Sequence, residues 1–331
     1  MSISRRVFLA LSGAAALGTS LRSQTRAYTL ESDAAGKTLK DPNGRVVLGY
    51  LTTKPEGVPL AGNSACCIHP FNTIGGERAT DIAPSDHRDH RGVFFAWHNM
   101  EFKRGGETLR GDFWGWGSFA PTDGRAIVNR EVRLVRADAS SAEVAVRNDW
   151  TIATEAPQVD GRAVGLPRVV LQEATTILAR EEQGVRVLDL IYQFTSDYDV
   201  TLNRMAFTGF CFRCRKDGSY VFSDSTGEVT LPNSSATNPD SDWPGRDWYS
   251  HTVTHADGKT VASAVIDHPG NPPSLWHGAR SVSFLNPCIA APGSVNIPAT
   301  QPLTLRYRAV ACDGKFPDGL LDRMAAQWRA R

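Results

Sequence analysis

Residues 185–194 read VRVLDLIYQF, and this stretch decides the fold class. A period of two places every second residue from Val185 to Gln193 on one face of an extended strand. Similar runs occupy residues 45–51, 93–97, 126–135, 142–152, 169–178, 206–213, 261–266 and 303–311. The chain also has 29 glycines and 19 prolines, and Asp-Gly pairs follow or precede several runs, as turns between antiparallel strands do.

Helical spacing is convincing only near the C-terminus, where Leu320, Leu321, Met324, Ala325 and Trp328 recur after a predicted N-cap at Asp318. Many short strands without interleaved helices favour a sandwich or barrel. We therefore predict an all-β fold: a large antiparallel two-sheet sandwich, super-sandwich-like, with a short C-terminal helix.

The N-terminus, MSISRRVFLALSGAAALGTSLR, carries Arg5 and Arg6 before a short uncharged segment. That segment is too short to span a bilayer comfortably and is followed by small residues near Ala27. The pattern predicts a twin-arginine signal peptide over residues 1–27 and a single domain over 28–331. The protein is then expected in the periplasm or secreted.

The formal net charge of +1, from 36 basic and 35 acidic residues, excludes an electrostatic argument for binding nucleic acid or an anionic membrane. No membrane insertion is expected after signal cleavage. Six cysteines show no spacing typical of a disulfide framework. The sequence does not fix the oligomeric state.

The densest polar cluster, DHRDHRG at residues 86–92, precedes an apolar strand-like run and holds His87, His90 and Arg91. Histidine transfers protons near neutral pH and arginine stabilises anions, so these residues are candidate acid–base groups. Two histidines supply only two metal ligands, and a third from His69, His98 or His268 would be needed. A hydrogen-bonded turn is the structural alternative.

A second cluster, DHPGNPP at 267–273, holds Asp267 and His268 at the end of another strand-like run. The carboxylate could orient the imidazole, as in a catalytic dyad, or simply begin a turn. Glu173 interrupts an apolar strand, and it faces either a cleft or solvent.

Tryptophans lie beside glycine- and proline-rich segments, notably in FWGWG at 113–117. An exposed indole face suits the apolar face of a sugar ring, whereas core packing is the ordinary role of an aromatic residue. The predicted substrate-binding residues are Trp97, His98, Trp114, Trp116, Trp248, Asp267 and Trp276.

The motifs DHRDHRGVFFAW (86–97), GRDWY (245–249), VIDHPGNPP (265–273) and LRYR (305–308) together resemble the PmoA-like "methane oxygenase" family. The resemblance extends over about residues 45–313. It implies a single exported domain found among glycan-degradation proteins, and the family name implies a metal-dependent oxygenase. Arg88 and Asp89 lie between His87 and His90, where the family pattern has other residues. This difference weakens the case for a metal site.

The leading hypothesis is a carbohydrate-active enzyme that acts by hydrolysis, elimination or epimerisation on a small-molecule or glycan substrate. Its predicted catalytic residues are His87, His90, Arg91, His268 and Glu173. A non-catalytic sugar-binding module and a metal-dependent oxygenase are the alternatives. No cofactor is predicted, although a bound transition metal is an alternative that the sequence leaves open. The enzyme hypothesis expects the two histidine segments to meet in one cavity.

Overall fold

The computed structural model describes residues 26–153, 167–232, 243–278 and 281–330. The predicted signal peptide over 1–27 lies outside the described residues except for Arg26 and Ala27, so it stays a prediction. In the described residues, no helix is long and apolar enough to cross a membrane.

The described chain forms 21 strands and one helix. They are β1 Thr29–Ser32, β2 Gly36–Lys40, β3 Val46–Leu51, β4 Cys67–Phe71, β5 Val93–Ala96, β6 Met100–Arg104, β7 Glu107–Gly111, β8 Arg125–Ala137, β9 Ser141–Ala153, β10 Pro167–Glu182, β11 Val185–Thr195, β12 Asp199–Leu202, β13 Gly209–Arg213, β14 Ser219–Asp224, β15 Gly227–Val229, β16 Trp248–Thr254, β17 Thr260–Asp267, β18 Leu275–His277, β19 Phe284–Cys288, β20 Val295–Ile297, β21 Leu303–Asp313 and α1 Leu320–Arg329.

Two large antiparallel sheets form the sandwich, which confirms the predicted fold class. The eight-stranded sheet has the order β1-β2-β3-β4-β5-β13-β19-β18, and the nine-stranded sheet has the order β15-β14-β16-β17-β21-β11-β10-β9-β8. A third sheet of four strands, β20-β12-β6-β7, was not predicted. Its strands are three to five residues long, which leaves little periodicity to recognise in the sequence.

Aromatic rings fill the space between the two large sheets. Phe95 of β5 lies 4.9 Å, between ring centroids, from both Tyr192 and Phe194 of β11. Phe210 of β13 stacks on Tyr307 of β21 at 4.2 Å. Because neighbouring residues of a strand point to opposite faces, the residues beside Phe95 and Phe210 face away from this core. The outer face of β5 and β13 is therefore available for a site.

Helix α1 covers part of the outer face of the nine-stranded sheet. Leu320, Leu321, Met324, Ala325 and Trp328 are buried, as the helical spacing predicted. The predicted N-cap at Asp318 is wrong: Gly319 occupies that position in the left-handed conformation, and no side chain caps the helix. Glycine adopts this conformation without the strain that a Cβ atom causes, so the chain enters the helix through it.

Candidate functional site

Four of the eight histidines of the chain converge on the outer face of the eight-stranded sheet. They come from the segment before β5, the residue pair after it, and the end of β18, and rings from three further segments join them. Since β5, β13, β19 and β18 are consecutive in the sheet, residues far apart in sequence meet here. We define the histidine–aromatic cluster as His87, His90, His98, Trp114, Trp116, Phe207, His277 and Phe284.

Six of these rings form a closed circuit of contacts. The centroid distances are 5.3 Å for His90–Phe284, 5.6 Å for Phe284–His277, 5.1 Å for His277–Phe207, 4.8 Å for Phe207–His98, 5.9 Å for His98–Trp114 and 5.7 Å for Trp114–His90. His87 joins the circuit through His90 at 4.8 Å, and Trp116 joins it through Phe207 at 5.2 Å. The outcome is one continuous, largely buried packing of rings that reaches solvent at His87 and Trp116.

A buried arginine lies beneath one end of the cluster and keeps a neighbouring carboxylate ionised. The guanidinium of Arg213 donates to Asp86 at 2.9 Å, and Lys216 donates to the same carboxylate at 2.7 Å. Burial alone would raise the pKa of Asp86, but these two cations outweigh it and hold the pKa well below its usual range. Asp86 is therefore a permanent anion at neutral pH.

His90 is buried beside the same guanidinium, with its Nδ1 atom 3.4 Å from Nη1 of Arg213. Burial, followed by the positive charge of Arg213, lowers the pKa of His90 well below its ordinary value. His90 is consequently neutral at pH 7, and Arg213 fixes Nδ1 as the acceptor atom of its ring.

His87 is the accessible histidine of the cluster, with 41% of its side chain exposed. Its Nδ1 atom lies 3.5 Å from the ionised carboxylate of Asp86. The exposed part of this imidazole is accessible to a ligand, and histidine is a common acid–base group. This pair is the best-placed acid–base group among the described residues.

Trp116 supplies the exposed ring of the cluster, with 37% of its surface accessible. Next to it, burial lowers the pKa of His98 to about 4 and that of His277 to about 4. Both buried imidazoles are therefore uncharged at neutral pH. The cluster thus combines an exposed indole with buried, uncharged imidazoles, and the exposed indole face suits the apolar face of an uncharged polar ring.

Two strained residues flank the cluster. Ala83 has a φ of 45°, and its N–H donates to the carbonyl of His90 at 2.8 Å. Ser283 has a φ of 58° and directly precedes Phe284. Non-glycine residues in the left-handed region cost energy and concentrate at functional sites. Ala83 and Ser283 therefore hold the backbone beside the cluster in an uncommon conformation.

Arg91, predicted as catalytic, lies fully buried beneath the cluster. Its guanidinium donates to the carbonyl oxygens of Ala65, Asp89, Trp114 and Phe113 at 3.0 to 3.3 Å. These bonds tie the segments that carry His90 and Trp114 to each other and to the segment at Ala65. The geometry therefore assigns Arg91 a structural role instead of the predicted catalytic one.

Glu173 faces neither a cleft nor solvent, and both sequence interpretations of it are corrected. Its carboxyl is buried in the sandwich, where it accepts hydrogen bonds from Asn148 at 3.0 Å, Thr175 at 2.8 Å and the indole of Trp150 at 2.9 Å. Burial raises the pKa of this carboxyl despite the three donors. Glu173 organises the interior and does not reach the cluster.

Glu173→Gln is expected to lower the free energy of unfolding by about 1–3 kcal/mol, the cost of one badly paired buried polar group. Whichever way the amide is turned, its NH2 group meets a donor: Asn148 and Thr175 on one side, or Trp150 on the other. Urea unfolding measures the loss. In a Trp150→Phe background the amide has a position free of donors, so the same substitution should cost less; an equal cost would contradict this explanation.

The predicted tryptophans separate into different environments. Trp114 is buried in the cluster and donates to Asp89 at 2.7 Å. Trp97 packs in the core against Phe194 at 4.7 Å, so its predicted substrate-binding role is corrected. Trp276 is also buried, with its indole N–H donating to the carbonyl of Arg246 at 2.8 Å. Neither of the last two rings has an exposed face for a ligand.

Trp248 borders a separate cleft of about 310 Å³ between β14, β16 and the residues before α1. Its indole donates to Asp322 of α1 at 2.9 Å, and its ring is nearly buried. Hydroxyl groups of Ser223 and Ser250 line the floor of this cleft. None of the predicted histidines lines it; its charged lining is Asp224, Glu228, Lys315, Asp318 and Asp322, so the cleft has carboxyl groups but not the imidazoles of the cluster.

The second histidine segment does not meet the first. The ring of His268 lies 5.2 Å from Trp328 of α1, and its Nδ1 accepts the N–H of Gly270. Asp267 accepts hydrogen bonds from Asn271 and Ser274, both at 2.7 Å. These contacts build the turn after β17, so Asp267 and His268 are not brought into the cluster and their predicted site roles are corrected.

The stability contributed by Asp267 should depend on pH. Burial raises the pKa of this carboxyl to about 6, above the 3.8 of the unfolded chain, so the folded state binds the proton more tightly. Its contribution is full below about pH 4 and is lost as the pH rises through about 6. Relative to Asp267→Asn, the wild-type protein should lose on the order of 2 kcal/mol between pH 4 and 7. Urea unfolding across this range measures it; parallel pH dependences would contradict the assignment.

Five residues of the site were missed as candidates by the sequence analysis: Asp86, Phe207, Arg213, His277 and Phe284. An arginine inside the apolar strand GFCFR was a usable signal for Arg213, because a buried charge needs a partner. Nothing local marks Phe207, since its importance arises from the rings around it. In the described residues, no group of three or more His, Cys, Asp or Glu side chains could hold a metal ion.

Comparison with known proteins identifies a family but no activity. The model of a family of unknown function (DUF6807) matches residues 41–328. The resemblance to the PmoA-like family is therefore wrong. The expectation of a metal-dependent oxygenase rested on that family name and loses its basis. No curated protein matches the sequence.

Several solved structures are remotely similar. A galactose mutarotase related enzyme from Lactobacillus acidophilus has 9% identity and a TM-score of 0.34, with 87% of this chain and 100% of that chain covered. The α-galactosidase from Lactobacillus brevis has 9% identity and a TM-score of 0.38, with coverages of 87% and 39%. The GH36 α-galactosidase AgaB from Geobacillus stearothermophilus has 9% identity and a TM-score of 0.37, with 88% of this chain and 40% of that chain covered. This chain spans about two fifths of both galactosidases, and similarity at these TM-scores carries no argument about function.

Proposed function

This chain belongs to the family of unknown function DUF6807, and from the geometry of its site we propose a carbohydrate-active protein. In this proposal the histidine–aromatic cluster binds an uncharged sugar ring, and His87 exchanges a proton with it. The observation that carries the proposal is the closed circuit of neutral imidazoles and aromatic rings, which reaches solvent through its neighbours Trp116 and His87. In keeping with the predicted leader, we propose that the protein acts outside the cytoplasm as a single domain over 28–331.

The chemistry of the cluster favours proton transfer over hydrolysis. Glycoside hydrolysis usually needs two carboxyl groups, one of which is protonated. Asp86 is held ionised by Arg213 and Lys216, and Asp89 accepts the indole N–H of Trp114. Epimerisation at the anomeric carbon instead needs one positioned acid–base group. The base takes the proton of the anomeric hydroxyl, the bond from that carbon to the ring oxygen breaks, and the ring oxygen takes up a proton from water; closure of the ring on its other face reverses both proton transfers. The accessible imidazole of His87, whose Nδ1 atom lies 3.5 Å from the carboxylate of Asp86, supplies that base.

Binding is tested with Trp116→Ala. The substitution removes the exposed indole without opening the buried circuit, and it should weaken binding of a neutral sugar by about tenfold, which corresponds to about 1.4 kcal/mol of lost stacking. Screening a panel of neutral monosaccharides and glycosides by ligand-observed NMR, followed by titration, measures it. Val135→Ala is the matched control, because Val135 is 41% exposed and lies on β8. Equal binding by both variants would contradict the site.

A non-catalytic sugar-binding module is the second candidate function. It is favoured by His98 and His277, whose lowered pKa values of about 4 make them weak bases and good neutral hydrogen-bonding groups. Trp116-dependent binding without a new product in mass spectrometry or NMR would establish this alternative over the enzyme.

A further inference from the structure

The exposed indole of Trp116 lies in a loop that one buried carboxylate organises. The loop, residues 113–120, lies between β7 and β8, and we call it the Trp116 loop. Asp112, directly before it, is 1% exposed. The Oδ1 atom of Asp112 accepts the N–H of Gly115 at 2.8 Å, and its Oδ2 atom accepts the N–H of Gly117 at 2.6 Å. The two residues that flank Trp116 are therefore tied to the same side chain.

The conformations of these two glycines make the arrangement possible. Gly115 has a φ of 110° and Gly117 a φ of 76°, which residues with a Cβ atom rarely adopt. A Cβ atom on Gly115 would also lie 2.8 Å from the Cα atom of Gly62, so the Trp116 loop rests directly on that backbone. The path of the chain on both sides of Trp116 is consequently fixed.

Other groups hold the ends of the Trp116 loop. The N–H of Asp112 donates to the carbonyl of Pro121 at 2.8 Å, which closes the loop. The guanidinium of Arg91 donates to the carbonyls of Phe113 and Trp114 at the beginning of the loop. Between these anchors, the carboxylate of Asp112 holds the backbone on both sides of the exposed indole.

Side-chain packing alone covers only part of the indole of Trp116. Its ring centroid lies 5.5 Å from His98, 5.3 Å from Phe119 and 5.2 Å from Phe207, and 37% of its surface stays accessible. The position of the ring therefore also depends on the backbone that carries it. A ring whose position is fixed before a ligand arrives binds more strongly, because less conformational entropy is lost on binding.

We propose that Asp112 is a positioning residue of the sugar site: through the N–H groups of Gly115 and Gly117, it fixes the indole of Trp116 where a sugar ring stacks. This inference rests on the proposed function. It adds a buried residue that acts on the ligand through Trp116 and does not touch it.

Amide hydrogen exchange, followed by NMR with labelled glycine, tests this arrangement without any ligand. In Asp112→Asn the NH2 group replaces one acceptor and faces an N–H donor, so exchange at Gly115 and Gly117 should be at least about tenfold faster. Asp138→Asn is the matched control, because Asp138 accepts two backbone N–H groups in the turn between β8 and β9, outside the cluster. It should leave both glycine amides unchanged. Unchanged exchange in folded Asp112→Asn overturns the proposal.

Sugar binding then tests whether Asp112 acts through Trp116. Asp112→Asn should weaken binding of the sugar identified through Trp116-dependent binding by about three- to tenfold, and no more than Trp116→Ala does. In a Trp116→Ala background the same substitution should weaken binding by less than about twofold, since the ring that it positions is gone. An equal loss in both backgrounds would indicate a general structural effect and overturn the proposal, as would full affinity in Asp112→Asn.

Gly117→Ala repeats the binding test with a milder change, should Asp112→Asn fail to fold. The new Cβ atom would meet Thr122 at 3.5 Å, an ordinary contact, but alanine disfavours the left-handed conformation that directs this N–H to Asp112. We expect a loss of affinity that disappears in the Trp116→Ala background. Gly258→Ala, at a φ of 82° in the turn between β16 and β17, should bind as the wild-type protein does. Equal affinity of the two glycine variants would overturn the proposal.

Failure of the proposed function is recognised separately. If no sugar of the panel shows Trp116-dependent binding, the sugar site fails and the role of Asp112 in sugar binding fails with it. The exchange rates of the Gly115 and Gly117 amides still decide whether Asp112 holds the Trp116 loop.

Discussion

Arg91→Met is expected to lower the free energy of unfolding by about 3–5 kcal/mol, more than Glu173→Gln, because several buried carbonyl groups lose their charged donor together. The carbonyls of Ala65, Asp89, Phe113 and Trp114 all accept from this one guanidinium. Methionine fills most of the volume but donates no hydrogen bond. Urea or guanidinium unfolding, followed by tryptophan fluorescence, measures the change.

Two further variants make this result specific. Arg91→Lys keeps the charge, but a single ammonium cannot reproduce the planar set of donors, so an intermediate loss is expected. Arg130→Met removes an arginine whose ion pair with Asp149 is exposed, and should cost less than about 1 kcal/mol. If Arg91→Met were no more destabilising than Arg130→Met, the structural role of Arg91 would be wrong.

The architecture was predictable because alternation and turn residues are local signals. The strand at 185–194 was recognised from its period of two, and it lies within β11. The environment of that strand was not predictable, since α1 covers the face that carries Val185, Val187 and Asp189. The carboxylate of Asp189 is consequently buried with Arg308 instead of facing solvent. Coverage by a distant helix leaves no trace in the sequence of the strand.

The candidate site was predicted in part. His87, His90, His98, Trp114 and Trp116 were identified from local composition, and the structure brings them together. Local composition does not reveal a residue's role when that role depends on the face of a strand it occupies or on its distant partners. Glu173 illustrates the first case, because its neighbours on β9 and β10 enclose it inside the sandwich. His268 illustrates the second, because its neighbour Trp328 lies 60 residues further along the chain.

His87→Gln is expected to reduce turnover of any sugar substrate by about 100–10,000-fold, the contribution typical of a positioned acid–base group. Glutamine retains hydrogen-bonding capacity but cannot take up a proton, and the exposed position of His87 leaves the buried circuit intact. Binding should therefore persist while turnover falls. Comparison of kcat and KM on the substrate identified through Trp116-dependent binding separates the two effects.

His255→Gln is the control that isolates this effect. His255 also has its Nδ1 atom beside a carboxylate, 3.4 Å from Asp217, but it belongs to the segment after β16 and takes no part in the cluster. If proximity to a carboxylate were sufficient, both variants would lose turnover. We expect His255→Gln to behave as the wild-type protein, because only His87 lies beside the rings that hold the sugar. Retained turnover in His87→Gln would assign the acid–base step to another residue and leave the cluster as a binding site.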